Sequence, residues 1–181
     1  MSETIASPSF DVPALLLISR CLPDRRGDGA SRRAWDLLVT ASESHRVWLV
    51  AAADRPIHLG QWKSLAAHAE RLELAPGGPG FRRRARLAGT IAAWQGMTDF
   101  HTTLATSLET AMLAGRVGAE LRLLDLGESS SLSGHAAMRR RWWFWPVGSA
   151  RRTLAACDAV LTGPAPALGD LLRRRDLPAA A

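Results

Sequence analysis

The stretch that decides the fold is residues 13–42, PALLLISRCLPDRRGDGASRRAWDLLVTAS. It opens with an apolar run, residues 14–19, which is typical of a strand buried on both faces of a parallel sheet. A glycine-containing turn follows, and it leads into a segment whose apolar residues have helical spacing: Ala34, Leu37, Leu38 and Ala41. A buried strand, a glycine turn and a helix in this order begin a doubly wound α/β domain, and the turn faces the ligand crevice of such a domain.

The remainder of the chain predicts further strand and helix units of the same kind. Strands are predicted near residues 45–53, 71–74, 99–104, 121–126 and 159–162, and helices near 61–69, 82–95, 107–113, 149–156 and 165–175. Ser31 is the predicted N-cap of the first helix. We therefore expect an α/β fold with a Rossmann-like, doubly wound, mostly parallel sheet.

A chain of 181 residues is long enough to form one well-buried core, so we expect a single domain. Residues 1–12 mix serine, proline and acidic residues without periodicity, and they are predicted to be a disordered or loosely packed arm. The domain is predicted to span residues 13–177, and residues 178–181 are predicted to be a tail.

The net charge of +6 comes almost entirely from arginine, because Lys63 is the only lysine. A basic surface attracts nucleic acids, phosphorylated small molecules or anionic lipid headgroups. No recognisable nucleic-acid-binding motif accompanies the charge, so we predict no nucleic-acid partner. In the basic segment 82–86, RRRAR, the favoured interpretation is a solvated helix face, and a dedicated anion site is the alternative.

The two cysteines, Cys21 and Cys157, have no zinc-ligand spacing, so no metal is predicted. Such sparse thiols favour a reducing compartment. The sequence has no signal-peptide pattern and no apolar run near the roughly 18 to 20 residues that a spanning helix needs. We therefore predict a cytoplasmic protein, with a peripheral position on the inner face of the membrane as the alternative.

Three groups of residues, in this order, carry a resemblance to a known family. They are Pro23, Gly27, Asp28 and Arg32; then residues 123–125 with Glu128 and Ser131; then the basic and aromatic segment 139–145, RRRWWFW, leading to Arg151, Arg152 and residues 157–162. This set resembles the N-terminal half of a GT-B glycosyltransferase of the retaining family 4 type. The closest resemblance is to bacterial sugar transferases associated with exosortase and exopolysaccharide gene clusters, and it covers roughly residues 15–172.

The resemblance implies the acceptor-side half of an enzyme that transfers a sugar from a nucleotide-sugar donor to an exopolysaccharide or lipid-linked acceptor. It implies no cofactor, because the nucleotide sugar is a substrate. In such enzymes a second Rossmann-like domain holds the donor, and we expect a separately encoded domain to supply it, because the chain stops where that domain would begin. The hypothesis from another class is a non-catalytic Rossmann-like binding module or relic that associates with a partner or a membrane surface.

The resemblance and the predicted crevice together predict three catalytic residues: Asp28, His101 and Glu128. Asp28 would accept a bond from an acceptor hydroxyl, or would be an exposed residue of an ordinary turn. His101 is predicted to follow a strand end, where it would be a hydrogen-bond donor or acid–base group, or a structural histidine. Glu128 would orient sugar hydroxyls, or would cap the next helix.

The predicted substrate-binding residues flank these three. They are Gly27, Gly29, Arg25, Arg32, Asp125 and Ser129. The glycines would let a phosphate or sugar approach the backbone, and the arginines would contact phosphate or would only be solvated surface residues.

The segment 139–145 predicts a contact with a membrane or a partner. Arginines would meet anionic headgroups, and tryptophans would lie at the acyl boundary. The residues concerned are Arg140, Arg141, Trp142, Trp143 and Trp145. The alternative is that the tryptophans pack partly into the core.

Overall fold

The computed structural model describes residues 12–53, 56–76, 80–127, 147–162 and 166–173. The strands are β1 (Ala14–Ser19), β2 (Arg46–Ala53), β3 (Arg71–Pro76), β4 (Thr102–Ala105), β5 (Leu121–Asp125) and β6 (Ala159–Leu161). The helices are α1 (Gly29–Ser42), α2 (Leu59–Ala66), α3 (Gly80–Gln95), α4 (Leu108–Ala114), α5 (Val147–Ala155) and α6 (Pro166–Arg173). Strands and helices alternate along the chain, which confirms the predicted α/β fold.

The described strands form one sheet in the order β3-β2-β1-β4-β5-β6, and every neighbouring pair is parallel. This is the order of Rossmann-like doubly wound domains. Leu15 of β1 stands beside Val47 of β2 on one side and Thr102 of β4 on the other. The direction of winding therefore reverses between β1 and β4, and the crevice of such a sheet lies at the carboxyl ends of these two strands.

Helices cover both faces of the sheet, which explains the unbroken apolar sequence of β1. Leu15 and Leu17 pack on the face that carries α1, α2 and α6, which we call the α1 face. Leu16 and Ile18 pack on the opposite face, which carries α3, α4 and α5 and which we call the α3 face. All four side chains are completely buried, and each such burial is worth about 1.5–3 kcal/mol.

Helix α1 begins at Gly29, and its N-cap is Asp28 instead of the predicted Ser31. The Asp28 carboxylate accepts a hydrogen bond of 2.9 Å from the backbone N–H of Ser31. Both residues belong to the types that cap helices. Asp28 takes the position because its backbone is extended, with ψ of 177°, while Ser31 already lies inside the helix.

Among the predicted segments, residues 1–11 of the arm and the tail 178–181 lie outside the described residues. The same holds for the basic and aromatic segment 139–145, and so for Arg140, Arg141, Trp142, Trp143 and Trp145.

Candidate functional site

The carboxyl ends of β1 and β4 are tied together where the two strands leave the sheet. The backbone N–H of Arg20 donates to Thr106 Oγ1 at 3.1 Å, and the backbone N–H of Thr106 donates to the carbonyl of Ile18, also at 3.1 Å. The loops after β1 and β4 therefore start from fixed positions on the sheet. This is the edge where open parallel sheets bind ligands, so we take it as the candidate site.

The turn between β1 and α1 is organised by Asp24, a residue that the sequence pattern did not single out. Its carboxylate accepts the backbone N–H of Arg26 at 2.9 Å and the side-chain amide of Gln61 in α2 at 3.0 Å. Its carbonyl accepts the backbone N–H of Gly27 at 3.0 Å. The sequence Pro-Asp followed by glycine three residues after the aspartate is a turn signal that could have identified this role.

The three turn residues predicted to receive a ligand have structural roles of their own. A Cβ on Gly27 would lie 2.6 Å from Ser31 Cβ, so glycine is required there by close packing. No described glycine has a positive φ, so backbone strain does not explain this position. Asp28 caps α1, and Gly29 is its first residue. Ligand binding by these residues remains a prediction.

The predicted phosphate-binding arginines at this turn, Arg25 and Arg32, are both exposed. Arg33, which sequence reasoning missed, is instead largely buried. Its guanidinium donates from Nη2 to Asp125 Oδ1 at 2.7 Å and from Nε to Asp125 Oδ2 at 3.2 Å. The exposed fractions of the two side chains are 11% and 3%. This ion pair joins α1 to the carboxyl end of β5 on the α1 face.

The backbone of Gly127 completes this arrangement. Its N–H donates to Asp125 Oδ1 at 3.4 Å, and a Cβ at this position would lie 3.2 Å from the Arg33 guanidinium. Asp125 was predicted to bind a substrate because it lies at the C-terminal end of a strand. The structure confirms its position at that edge and assigns both carboxylate oxygens to protein partners.

His101 lies at the opposite edge of the sheet, so its predicted position after a strand end is wrong. It precedes β4, and its backbone N–H donates to the carbonyl of Ala14 at the start of β1. Its ring contacts Glu120, with Nε2 3.1 Å from a carboxylate oxygen. The four residues of β4 span about 13 Å, so His101 cannot act together with the carboxyl-edge residues.

His101 belongs to a small cluster of imidazole rings at this amino edge. The ring of His45, which precedes β2, lies 6.3 Å from the ring of His101, centroid to centroid. Burial, followed by the proximity of His101, lowers the pKa of His45 from 6.5 to about 4. His45 is therefore neutral at physiological pH.

Glu128 and Ser129 lie outside the described residues. Of the three predicted catalytic residues, Asp28 is thus at the carboxyl edge, His101 is at the amino edge, and Glu128 is not described.

Cys21 also lies at the carboxyl edge, but burial raises the pKa of its thiol. A raised pKa disfavours the thiolate form that a nucleophile needs.

Comparisons with known proteins do not assign a family to this chain: no protein-family model matches it, and no curated protein matches it. Within the part of the chain that the structure describes, no group of three or more histidine, cysteine or acidic residues is arranged to hold a metal ion. No helix in the same part has both the length and the apolar character needed to cross a bilayer. Function is therefore inferred from the fold and from the residues at the carboxyl edge.

Proposed function

We propose that this chain is the acceptor-side half of a glycosyltransferase of the GT-B type, which transfers a sugar from a nucleotide sugar to an exopolysaccharide or lipid-linked acceptor. The observation that carries the proposal is the strand order, which puts the turn after β1 and the first turn of α1, residues 23–32, at the switch point between β1 and β4. This segment contains the first group of residues on which the family resemblance rests. Fold and resemblance therefore select the same edge of the sheet.

In this proposal the acceptor contacts the turn between β1 and α1, and a second domain holds the nucleotide sugar across the crevice. Asp28, at the N-cap of α1, accepts a hydrogen bond from the acceptor hydroxyl. Transfer needs no metal, because helix N-termini and basic side chains stabilise the diphosphate leaving group. The reaction takes place in the cytoplasm or on the inner face of the membrane.

A non-catalytic binding module is the second candidate, and one observation favours it. Two carboxylates that were predicted to bind a ligand at the carboxyl edge are engaged by the protein itself, since Asp28 caps α1 and Asp125 pairs with Arg33. His101 lies too far away to assist them. A Rossmann-like scaffold with these arrangements can bind a ligand without carrying out chemistry on it.

The decisive experiment measures consumption of UDP-glucose and GDP-mannose by the chain co-expressed with candidate donor-binding domains and supplied with a lipid-linked sugar acceptor. Asp28→Asn keeps an oxygen that can cap α1 and removes the charge, so transfer should fall while thermal stability is retained. Asp36→Asn is the matched control, because Asp36 is an exposed residue of the same helix. Failure of every donor-binding domain to support turnover would favour the binding module.

The proposed membrane contact is tested separately by flotation with liposomes that contain phosphatidylglycerol. The wild-type chain should float, and the triple variant Trp142→Ala, Trp143→Ala, Trp145→Ala should remain at the bottom of the gradient. Equal and negligible flotation of both proteins would remove the membrane from the proposal.

A further inference from the structure

Helix α2 presents large apolar side chains to the solvent. All eight residues of this helix are described, and Leu65 is the only one of them that is buried. Leu59 is 70% exposed and Trp62 is 42% exposed. Residues three positions apart are neighbours on a helix surface, so these two side chains lie side by side. Helix α2 therefore packs on the α1 face through Leu65 and leaves a leucine and a tryptophan in water.

The exposed surface continues along the helix. Ala66 is exposed and lies four residues after Trp62, and Lys63 is exposed and lies four residues after Leu59. Single exposed apolar residues are common on protein surfaces, but Leu59, Trp62 and Ala66 form one row. We call Leu59, Trp62, Lys63 and Ala66 the outer face of α2. The sequence of this helix contains no acidic residue.

Hydrogen bonds hold α2 beside the turn that follows β1. One oxygen of the Asp24 carboxylate accepts the side-chain amide of Gln61 at 3.0 Å, and the other accepts the backbone N–H of Arg26 at 2.9 Å. A single carboxylate thus joins the helix to the turn. Arg25 and Arg26 of this turn are both exposed. Their guanidinium groups therefore belong to the same region of the surface as the start of α2.

The surface in this region carries more positive than negative charge. Within residues 23–32 and α2, the exposed cations are Arg25, Arg26, Arg32 and Lys63, and the acidic residues are Asp24 and Asp28. Both carboxylates already accept hydrogen bonds from the protein, Asp28 from the backbone N–H of Ser31. An excess of exposed cations attracts a surface of negative charge.

The combination of apolar and cationic side chains selects among the possible occupants of the outer face of α2. A second copy of the chain that met this face by two-fold symmetry would put Lys63 and the neighbouring arginines against their own counterparts, and like charges repel. An anionic bilayer suits both kinds of side chain. Leucine and tryptophan enter the boundary between headgroups and acyl chains, and the cations remain among the headgroups.

We propose that the outer face of α2 is a contact surface for an anionic lipid bilayer. Leu59 and Trp62 enter the bilayer surface, and Arg25, Arg26 and Lys63 lie at the headgroups. Because α2 follows the carboxyl end of β2, this contact turns the carboxyl edge of the sheet toward the lipid. The inference goes beyond the proposed function, since it requires neither sugar transfer nor the segment 139–145.

The test uses a fluorescent label that reports the polarity around one position. A nitrobenzoxadiazole group is attached to Leu59→Cys in the full chain with Cys21→Ala and Cys157→Ala. Vesicles of phosphatidylcholine and phosphatidylglycerol should raise its emission by more than about twofold, because the label enters the acyl boundary. The control places the same label at Met97→Cys, which is 62% exposed and lies beyond the end of α3. Its emission should not change.

Two substitutions in the chain labelled at position 59 test the contributions of the outer face. Trp62→Ser should raise the lipid concentration at half-maximal emission by more than about fivefold, because a large apolar group leaves the bilayer. Lys63→Gln should raise it by about twofold or more at low ionic strength, and this difference should disappear in high salt. Arg116→Gln is the matched control, because it removes one exposed charge outside this region, and it should have no effect.

The same titration in the background Trp142→Ala, Trp143→Ala, Trp145→Ala keeps this inference separate from the membrane contact in the proposed function. The label at position 59 should still respond, because fluorescence at equilibrium detects binding that is too weak to survive flotation. Absence of a response in this background would overturn an independent contact by α2.

Three further results would also overturn the proposal. The first is an unchanged emission at position 59 when the folded chain meets anionic vesicles. The second is an equal rise at positions 59 and 97, which would show adsorption without a preferred face. The third is a rise at position 59 with protein concentration in the absence of vesicles, which would assign the outer face of α2 to a second copy of the chain.

Discussion

Arg33 and Asp125 are 92 residues apart in the chain and meet through two hydrogen bonds, of 2.7 and 3.2 Å, at the carboxyl edge of the sheet. Each side chain is largely withdrawn from water. Removing one partner of such a pair leaves an uncompensated buried charge. The pair therefore gives a direct test of how the α1 face is held together.

Asp125→Asn should lower the free energy of unfolding by about 3 kcal/mol, because it leaves the Arg33 guanidinium without its counter-charge. Urea denaturation measures this loss. The control is Glu73→Gln, which breaks the exposed pair with Arg86 and should cost less than about 1 kcal/mol. Similar small losses in both variants would contradict a structural role for the Arg33–Asp125 pair.

Asp28→Ala should lower the free energy of unfolding by about 1 kcal/mol, because the cap is lost. Asp28→Ser should lower it by only a few tenths of a kcal/mol, because serine still caps the helix. Thermal denaturation followed by circular dichroism measures both. Asp36→Ala, at an exposed position of α1 with no cap to lose, should have almost no effect. An equal decrease in the free energy of unfolding for Asp28→Ala and Asp28→Ser would mean that the helix cap does not stabilise the fold.

Gly27→Ala should destabilise the fold by about 1–3 kcal/mol, because the new Cβ would overlap the Ser31 Cβ in a backbone that cannot move freely. Gly89→Ala is the opposite case. Gly89 lies within α3 with open space at its Cβ position, so alanine should stabilise the helix by about 0.5–1 kcal/mol. Both changes are read from the urea midpoint, and a stabilising Gly27→Ala would refute the packing argument.

His45 should make the fold less stable in mild acid. Its pKa is about 4 in the folded chain and 6.5 in an exposed reference, so the unfolded chain takes up the proton first. Stability is unaffected above pH 6.5 and falls as the pH decreases from 6.5 to 4. With allowance for partial screening of the ring by solvent, the loss at the end of this window is about 2 kcal/mol.

The measurement compares urea denaturation at pH 7 and pH 5 for wild type and His45→Gln, which cannot titrate. The variant should show a smaller loss between the two pH values. His68→Gln is the control, since His68 is a partly buried ring outside the amino-edge cluster. An identical pH dependence in wild type and His45→Gln would exclude His45 as the source.

The sequence was sufficient for β1, β2 and β5 and for the sheet class, because the apolar runs of these three strands are long enough to be recognised by themselves. It was insufficient at the start of α1, since Asp28 and Ser31 are both good N-caps and only the backbone decides between them. The predicted strand at residues 99–104 contained His101, whereas β4 begins at Thr102, so His101 lies just before the strand at the amino edge of the sheet.

Contacts between distant residues could not be predicted from spacing. Arg33 is one of two adjacent arginines, and its pairing with Asp125 depends on how α1 packs beside β5. Arg20, at the end of β1, likewise lies near Arg83 and Arg84 of α3, more than sixty positions away in the chain. The basic segment at residues 82–86 was visible in the sequence, but the approach of Arg83 and Arg84 to the end of β1 was not.

The pairing of β1 with β4 has a consequence for how the chain folds. β1, α1 and β2 are consecutive and can form early, whereas Leu15 must find Thr102 after a loop of more than eighty residues has closed. Closing such a loop is slow relative to local pairing, so we expect the pairing of β1 with β4 to be among the last parts of the sheet to form. The crevice lies at the carboxyl ends of these two strands. A ligand bound across it would therefore join the early and late halves of the molecule, and would slow unfolding more than it speeds folding.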